Sequence, residues 1–103
     1  MQSKGMQALL MEAQKKQRAY DKGIAEIEET EYEMEKNGIV KVVMKGNGEI
    51  VSVNINKEAM TADDQEFVQE SIKNAINSII KAVERDVEVI RKATIGQTNN
   101  MGF

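Results

Sequence analysis

The chain has 103 residues, no cysteine, histidine, tryptophan or proline, and a net charge of −3 from 17 acids and 14 bases. That length fits one domain with a thin core. The missing residue types exclude disulfides, thiolate metal sites, thiol catalysis and histidine-based proton transfer. No apolar run approaches the roughly 18 residues of a membrane span. The first 16 residues become charged too soon for a signal peptide. A cysteine-free chain of this kind is expected to be intracellular and cytoplasmic.

In chain order, residues 3–28 place Met6, Leu10, Ala13, Gln17, Tyr20, Ile24 and Ile27 at alternating steps of four and three. This heptad seam predicts a helix with Ser3 as its N-cap. Residues 30–35 alternate strictly and predict a strand with one wet face. Lys36-Asn37-Gly38 supplies a tight turn, because Asn-Gly tolerates positive φ. Residues 39–45 predict a second strand, with Val40, Val42 and Met44 on one face. Gly46-Asn47-Gly48 turns again, and residues 49–55 predict a third strand aligning Val51, Val53 and Ile55.

Asn56 caps a short helical turn over 57–60. Thr61-Ala62-Asp63-Asp64 opens the last helix, with acids favourably placed against its N-terminal dipole. That helix is expected over 62–93, with an apolar stripe from Val68 to Ile90. Gly96 ends it. The fold class is therefore α+β: long helix, three-stranded antiparallel meander, long helix. Residues 1–95 form one domain and 96–103 a flexible tail.

Length arithmetic bears on assembly. The two helices should run about 38 and 45 Å, whereas three short strands cover roughly 20 Å of helix. The helices must overhang, leaving apolar positions such as Met6, Leu10, Val87 and Ile90 to pair with each other, with a second copy, or with both. A homodimer is the simplest solution.

Charge is unevenly spread. Residues 1–23 carry five bases and two acids, and residues 24–36 carry six glutamates and one lysine. Lys15, Arg18 and Lys22 share one helical line with Lys4 and Met11, flanked by Lys16 and directed away from the seam. Lys81, Arg85, Arg91 and Lys92 lie towards the end of the last helix, interrupted by Glu84, Asp86 and Glu88. Such cations suit phosphate contacts. Charge alone favours a solvated helix face instead, because the net balance is negative, and Glu88 and Lys92 have the i,i+4 spacing of simple helix support. Asp63, Asp64 and Glu66 read as dipole-matched acids rather than a magnesium site. Gly46-Asn47-Gly48 lacks the spacing of a phosphate loop. Tyr20 and Tyr32 have no catalytic neighbour. No enzyme, cofactor or metal is expected.

The element order resembles the YbaB/EbfC family of bacterial nucleoid-associated proteins over nearly the whole chain. The resemblance is carried by Gly38-Ile39-Val40-Lys41-Val42, Lys45-Gly46-Asn47-Gly48-Glu49-Ile50 and Val51-Ser52-Val53-Asn54-Ile55. Asp63-Asp64-Gln65-Glu66 and the ending Met101-Gly102-Phe103 match as well. Asn56-Lys57 departs from the Asp-Pro that the family often has there, but it still caps a turn. The resemblance implies a tweezers-like homodimer whose sheets join the subunits. It also implies binding of double-stranded DNA in the nucleoid, with low sequence specificity, by the projecting helices. It is the resemblance, rather than the charge pattern, that assigns Lys15, Lys16, Arg18, Lys22, Arg85, Arg91 and Lys92 to DNA. The alternative is a dimeric protein-interaction module holding a replication or recombination partner.

Overall fold

A computed structural model describes residues 4–96. Helix α1 spans Lys4–Glu29, followed by strands β1 (Glu31–Lys36), β2 (Val40–Lys45) and β3 (Ile50–Ile55). Two 3₁₀ turns, Lys57–Ala59 and Ala62–Asp64, lead into helix α2, Gln65–Thr94. The α+β order is the expected one, with element ends within a few residues of those the pattern predicts. Ser3 and residues 97–103, which include most of the expected tail, lie outside the described residues.

The strands form one antiparallel sheet in the order β1-β2-β3. At the first turn Asn37 and Gly38 both take positive φ, 58° and 69°, and Ile39 N–H donates to Lys36 O at 3.1 Å. The Asn37 side chain is fixed as well, since its Nδ2 donates to the buried Ser71 Oγ of α2 at 2.8 Å. Asn56 accepts from Glu58 N–H at 2.9 Å, the cap expected for the turn that follows the sheet.

The core is small. Val40, Val42 and Met44 of β2 are buried against Ala75 and Ile79 of α2. Helix α2 crosses β1 and β2. It leaves most of β3 uncovered: Ile55 packs against the core, but Ile50, Val51 and Val53 are 42–47% exposed. An irregularity in register pairs Val43 with Ser52 but Met44 with Ile50. Val51 is thus an extra residue on its strand, as in a β-bulge. Val42 faces Val53, and Met44 faces Ile50. Directly paired residues share a face, so β3 extends the helix-side face of the sheet with apolar residues that nothing among the described residues covers.

The molecule is elongated, 75 × 28 × 14 Å, with a radius of gyration of 20.5 Å. A compact chain of about 100 residues would have a radius near 13 Å. The extension is α1. Gly23 meets Ile90, and Tyr20 lies near Arg91, so the two helices run antiparallel. Val87 and Ile90 are therefore partly covered by the second half of α1. Residues 5–19 are exposed throughout, which leaves about 22 Å of α1 unaccompanied.

Two glycines set the root of this arm. A Cβ on Gly23 would lie 2.7 Å from Ile90 Cγ2, so this position allows the close approach of α1 and α2. A Cβ on Gly46 would lie 2.0 Å from the Ile27 carbonyl oxygen. Gly46 N–H also donates to Thr30 O, and Asn47 N–H to Glu28 O, so the β2–β3 turn binds the end of α1.

Candidate nucleic-acid interface

The exposed surface of the α1 arm is built by a simple division of the helix. Tyr20, Gly23, Ile24 and Ile27 turn towards the body and are buried or half-buried. Lys15, Arg18 and Lys22 sit at steps of three and four on the opposite side, which the seam leaves to solvent. All three are exposed and make no ion pair among the described residues. Lys16, seven residues before Gly23, lies on the body-facing side of α1 but beyond the end of α2, and it is also exposed. Met11, Glu12, Gln14, Lys15 and Arg18 line a shallow groove on the arm.

The α2 cations differ among themselves. Arg85 and Lys92 are exposed, seven residues apart on one line, and unpaired among the described residues. Arg91 is engaged. Its Nε donates to Glu88 Oε1 at 3.1 Å, and its Nη2 contacts Glu88 Oε2. The Glu88 hydrogen bond raises the Arg91 pKa and, reciprocally, lowers that of the Glu88 carboxyl. Glu88 thus pairs at i,i+3 with Arg91 rather than at i,i+4 with Lys92. Helix spacing permits both, so sequence does not decide between them. The result is that Arg91 offers its charge to an outside anion less freely than Arg85 or Lys92.

The acidic part of the chain lies at the sheet. Glu29 pairs with Lys45 at 3.3 Å and Glu33 with Lys41 at 2.9 Å. Each links neighbouring elements at the surface, where such pairs contribute little stability. The described residues contain no group of three or more carboxylates placed to hold a metal, and no helix among them is long and apolar enough to cross a membrane.

One polar contact fastens α2 to the sheet near the arm. Tyr32 Oη donates to Asp86 Oδ2 at 2.7 Å. Burial, then this hydrogen bond and the Asp86 charge, push the Tyr32 pKa up to about 12. A raised folded-state pKa means that its stabilisation is fully present below pH 10, the ordinary tyrosine value, and is lost as pH rises through about 12. In an absorbance titration at 295 nm, the ionisation step absent from Tyr32→Phe should have its midpoint near 12. A missing step centred at 10 would show that the Asp86 bond does not persist in solution.

Sequence reasoning gives Gly23 no role, and it gives Gly46 a place in a turn but not its contact with the end of α1. An isolated glycine inside a strong helical pattern was the available signal for Gly23, because it disfavours the helix by about 1 kcal/mol and so implies a packing reason.

A row of cations unpaired among the described residues, on a helix projecting from a small sheet, has the chemistry of a surface for a phosphate backbone. The class is that of helix–meander–helix proteins with an exposed basic arm. More particularly, the profile of the YbaB/EbfC DNA-binding family matches residues 1–97, and the chain belongs to that family. A nucleoid-associated protein of Malacoplasma penetrans is 34% identical over 90 residues, covering 87% of this chain and 96% of the relative. One from Clostridium novyi is 33% identical over 96 residues, covering 92% and 84%. The crystal structure of an uncharacterized protein from Helicobacter pylori shares the fold, with a TM-score of 0.62 at 23% identity, covering 90% of this chain and 96% of that one.

Proposed function

We propose that this protein is a nucleoid-associated, non-enzymatic DNA-binding protein that grips the duplex backbone with low sequence specificity. Lys15, Lys16, Arg18 and Lys22 of α1 carry the main contacts, with Arg85 and Lys92 of α2 adding to them and Arg91 contributing less. The observation that carries this reading is the exposed line Lys15, Arg18, Lys22, free of ion pairs among the described residues on an arm with no other covering. Lysine and arginine on phosphates position a protein without reading bases, which is why low specificity follows. Competition between two labelled duplexes of unrelated sequence tests it. Affinities within a few-fold of each other are expected, and a preference of 1,000-fold for one would contradict it.

The working unit in this reading is a homodimer. The chain exposes 7433 Å², about 1,600 Å² more than a compact monomer of its mass would. The bare face of β3, with Ile50, Val51 and Val53, is the natural contact between two sheets. The two arms would then project from one base as tweezers and double the basic surface. Light scattering at micromolar concentration should give twice the chain mass; a clean monomer mass would refute the dimer and its geometry.

A second reading has its own observation. The arm tip exposes Met6, Leu9, Leu10 and Met11 at 54–67%, an apolar cluster suited to a protein partner, such as one of replication or recombination. Leu10→Asp separates the readings: the first expects duplex binding to survive with the dimer intact, and the second expects partner capture to be lost.

A further inference from the structure

We propose a second phosphate-binding site, away from the arm, in a notch between the β1–β2 turn and the outer face of α2. It is lined by Lys36, Asn37, Asn74, Asn77, Ser78 and Lys81 and has a volume of about 470 Å³. The ligand class is a phosphodiester of a nucleic-acid backbone, so the proposal rests on the DNA-binding reading above.

The lining is what separates this notch from the rest of the surface. Its two ionisable groups are both cationic, in a chain whose net charge is −3. The groove on the arm, by contrast, includes Glu12. Neither Lys36 nor Lys81 makes an ion pair among the described residues, whereas Lys41, Lys45, Lys73 and Arg91 all do. Lysine, asparagine and serine are side chains that contact phosphate oxygens, and nothing in the lining repels an anion.

The notch is also prebuilt. Asn37 stands in the left-handed region at φ 58° and is tied to the buried Ser71. That bond docks the β1–β2 turn, with Lys36 beside it, on α2. Asn74, Asn77 and Ser78 crowd three residues of modest helix propensity into five positions of α2. Helix formation alone would favour alanine or glutamate there.

Finally, the notch continues into the exposed cations of α2. Asn74, Ser78, Lys81, Arg85 and Lys92 follow one another at steps of three, four and seven, so they share one line of α2. From Asn74 to Lys92 that line spans about 27 Å, or roughly eight base-pair steps at 3.4 Å. A duplex lying along it would meet the notch at the body end and Lys92 at the arm end.

Fluorescence anisotropy with a labelled duplex at several salt concentrations tests the site, using Lys36→Gln, Lys81→Gln and the double variant. Each engaged lysine should contribute about 0.9 to the slope of log affinity against log salt, or about eight-fold in affinity at 0.1 M salt relative to 1 M. Lys36→Arg and Lys81→Arg should keep the slope. In ¹H–¹⁵N spectra of the wild-type protein, duplex should shift the side-chain amides of Asn74 and Asn77. Wild-type binding with unchanged slopes in both glutamine variants overturns the notch and leaves the arm reading standing. Absence of any wild-type duplex binding overturns both. Amide shifts with inorganic phosphate but not with duplex would make this a site for free phosphate and overturn the nucleic-acid assignment.

Discussion

Changing Lys15, Arg18 and Lys22 together to glutamine is expected to weaken duplex binding by about 500-fold at 0.1 M salt. Each cation that neutralises a phosphate contributes about 0.9 to the salt slope, so three contribute about 2.7. Over the decade from 1 M to 0.1 M salt, that slope is a factor of about 500 per engaged protomer. Glutamate at the same positions should weaken binding further by adding repulsion. The fold should not suffer, because all three side chains are exposed on the side of α1 turned away from the body. The check is anisotropy across a salt series alongside circular dichroism. Folded variants that bind with wild-type affinity and slope would remove the arm from the interface.

The second large effect concerns stability. Gly46→Ala would place a Cβ 2.0 Å from the Ile27 carbonyl oxygen and 2.7 Å from its carbon. Both obstacles are backbone, so the clash is relieved only by moving the end of α1 off the sheet. That movement would break the Gly46 N–H bond to Thr30 O. A loss of about 3 kcal/mol is expected from such overpacking. In a domain of this size it would lower Tm by roughly 12–24 °C. Gly5→Ala is the control, since nothing lies within 4 Å of its Cβ position. It should be neutral or slightly stabilising, because alanine is the better helix former. Thermal melts of the two variants separate a packing requirement from a general effect of removing glycine. Equal melting temperatures would contradict the geometry at the arm's root.

The elements were legible in the sequence because local rules governed them. Alternation marked β1, Asn37-Gly38 marked its turn, and the three-and-four spacing marked both helices. The overhang was also legible, since helix length and strand length are both simple multiples of a rise per residue. What eluded sequence reasoning was long-range. The approach of Ile90 to Gly23 and of Ile27 to Gly46 depends on how α1 docks, and no pattern within either segment encodes it. The bare part of β3 has the same origin, because Val51 and Val53 look like core until α2 is seen to lie mainly over β1 and β2. The bulge at Val51 is a register event between two strands and leaves no periodic trace.

The candidate site was legible in part. The line Lys15, Arg18 and Lys22 follows from helix spacing alone, and the structure leaves it exposed. The engagement of Arg91 by Glu88 did not follow, because i,i+3 and i,i+4 partners were both available to Glu88. Lys36 was read only as part of a turn. Its proximity to Lys81 arises from the docking of Asn37 on Ser71, 34 residues away.

The decisive measurement is the affinity of the wild-type protein for a labelled random-sequence duplex from 50 to 300 mM salt. The basic-arm reading predicts binding at the lowest salt and a linear fall of log affinity with log salt. The slope should be at least about 2.7 in magnitude for the three arm cations. No binding at 50 mM salt, or an affinity that does not change with salt, would contradict it.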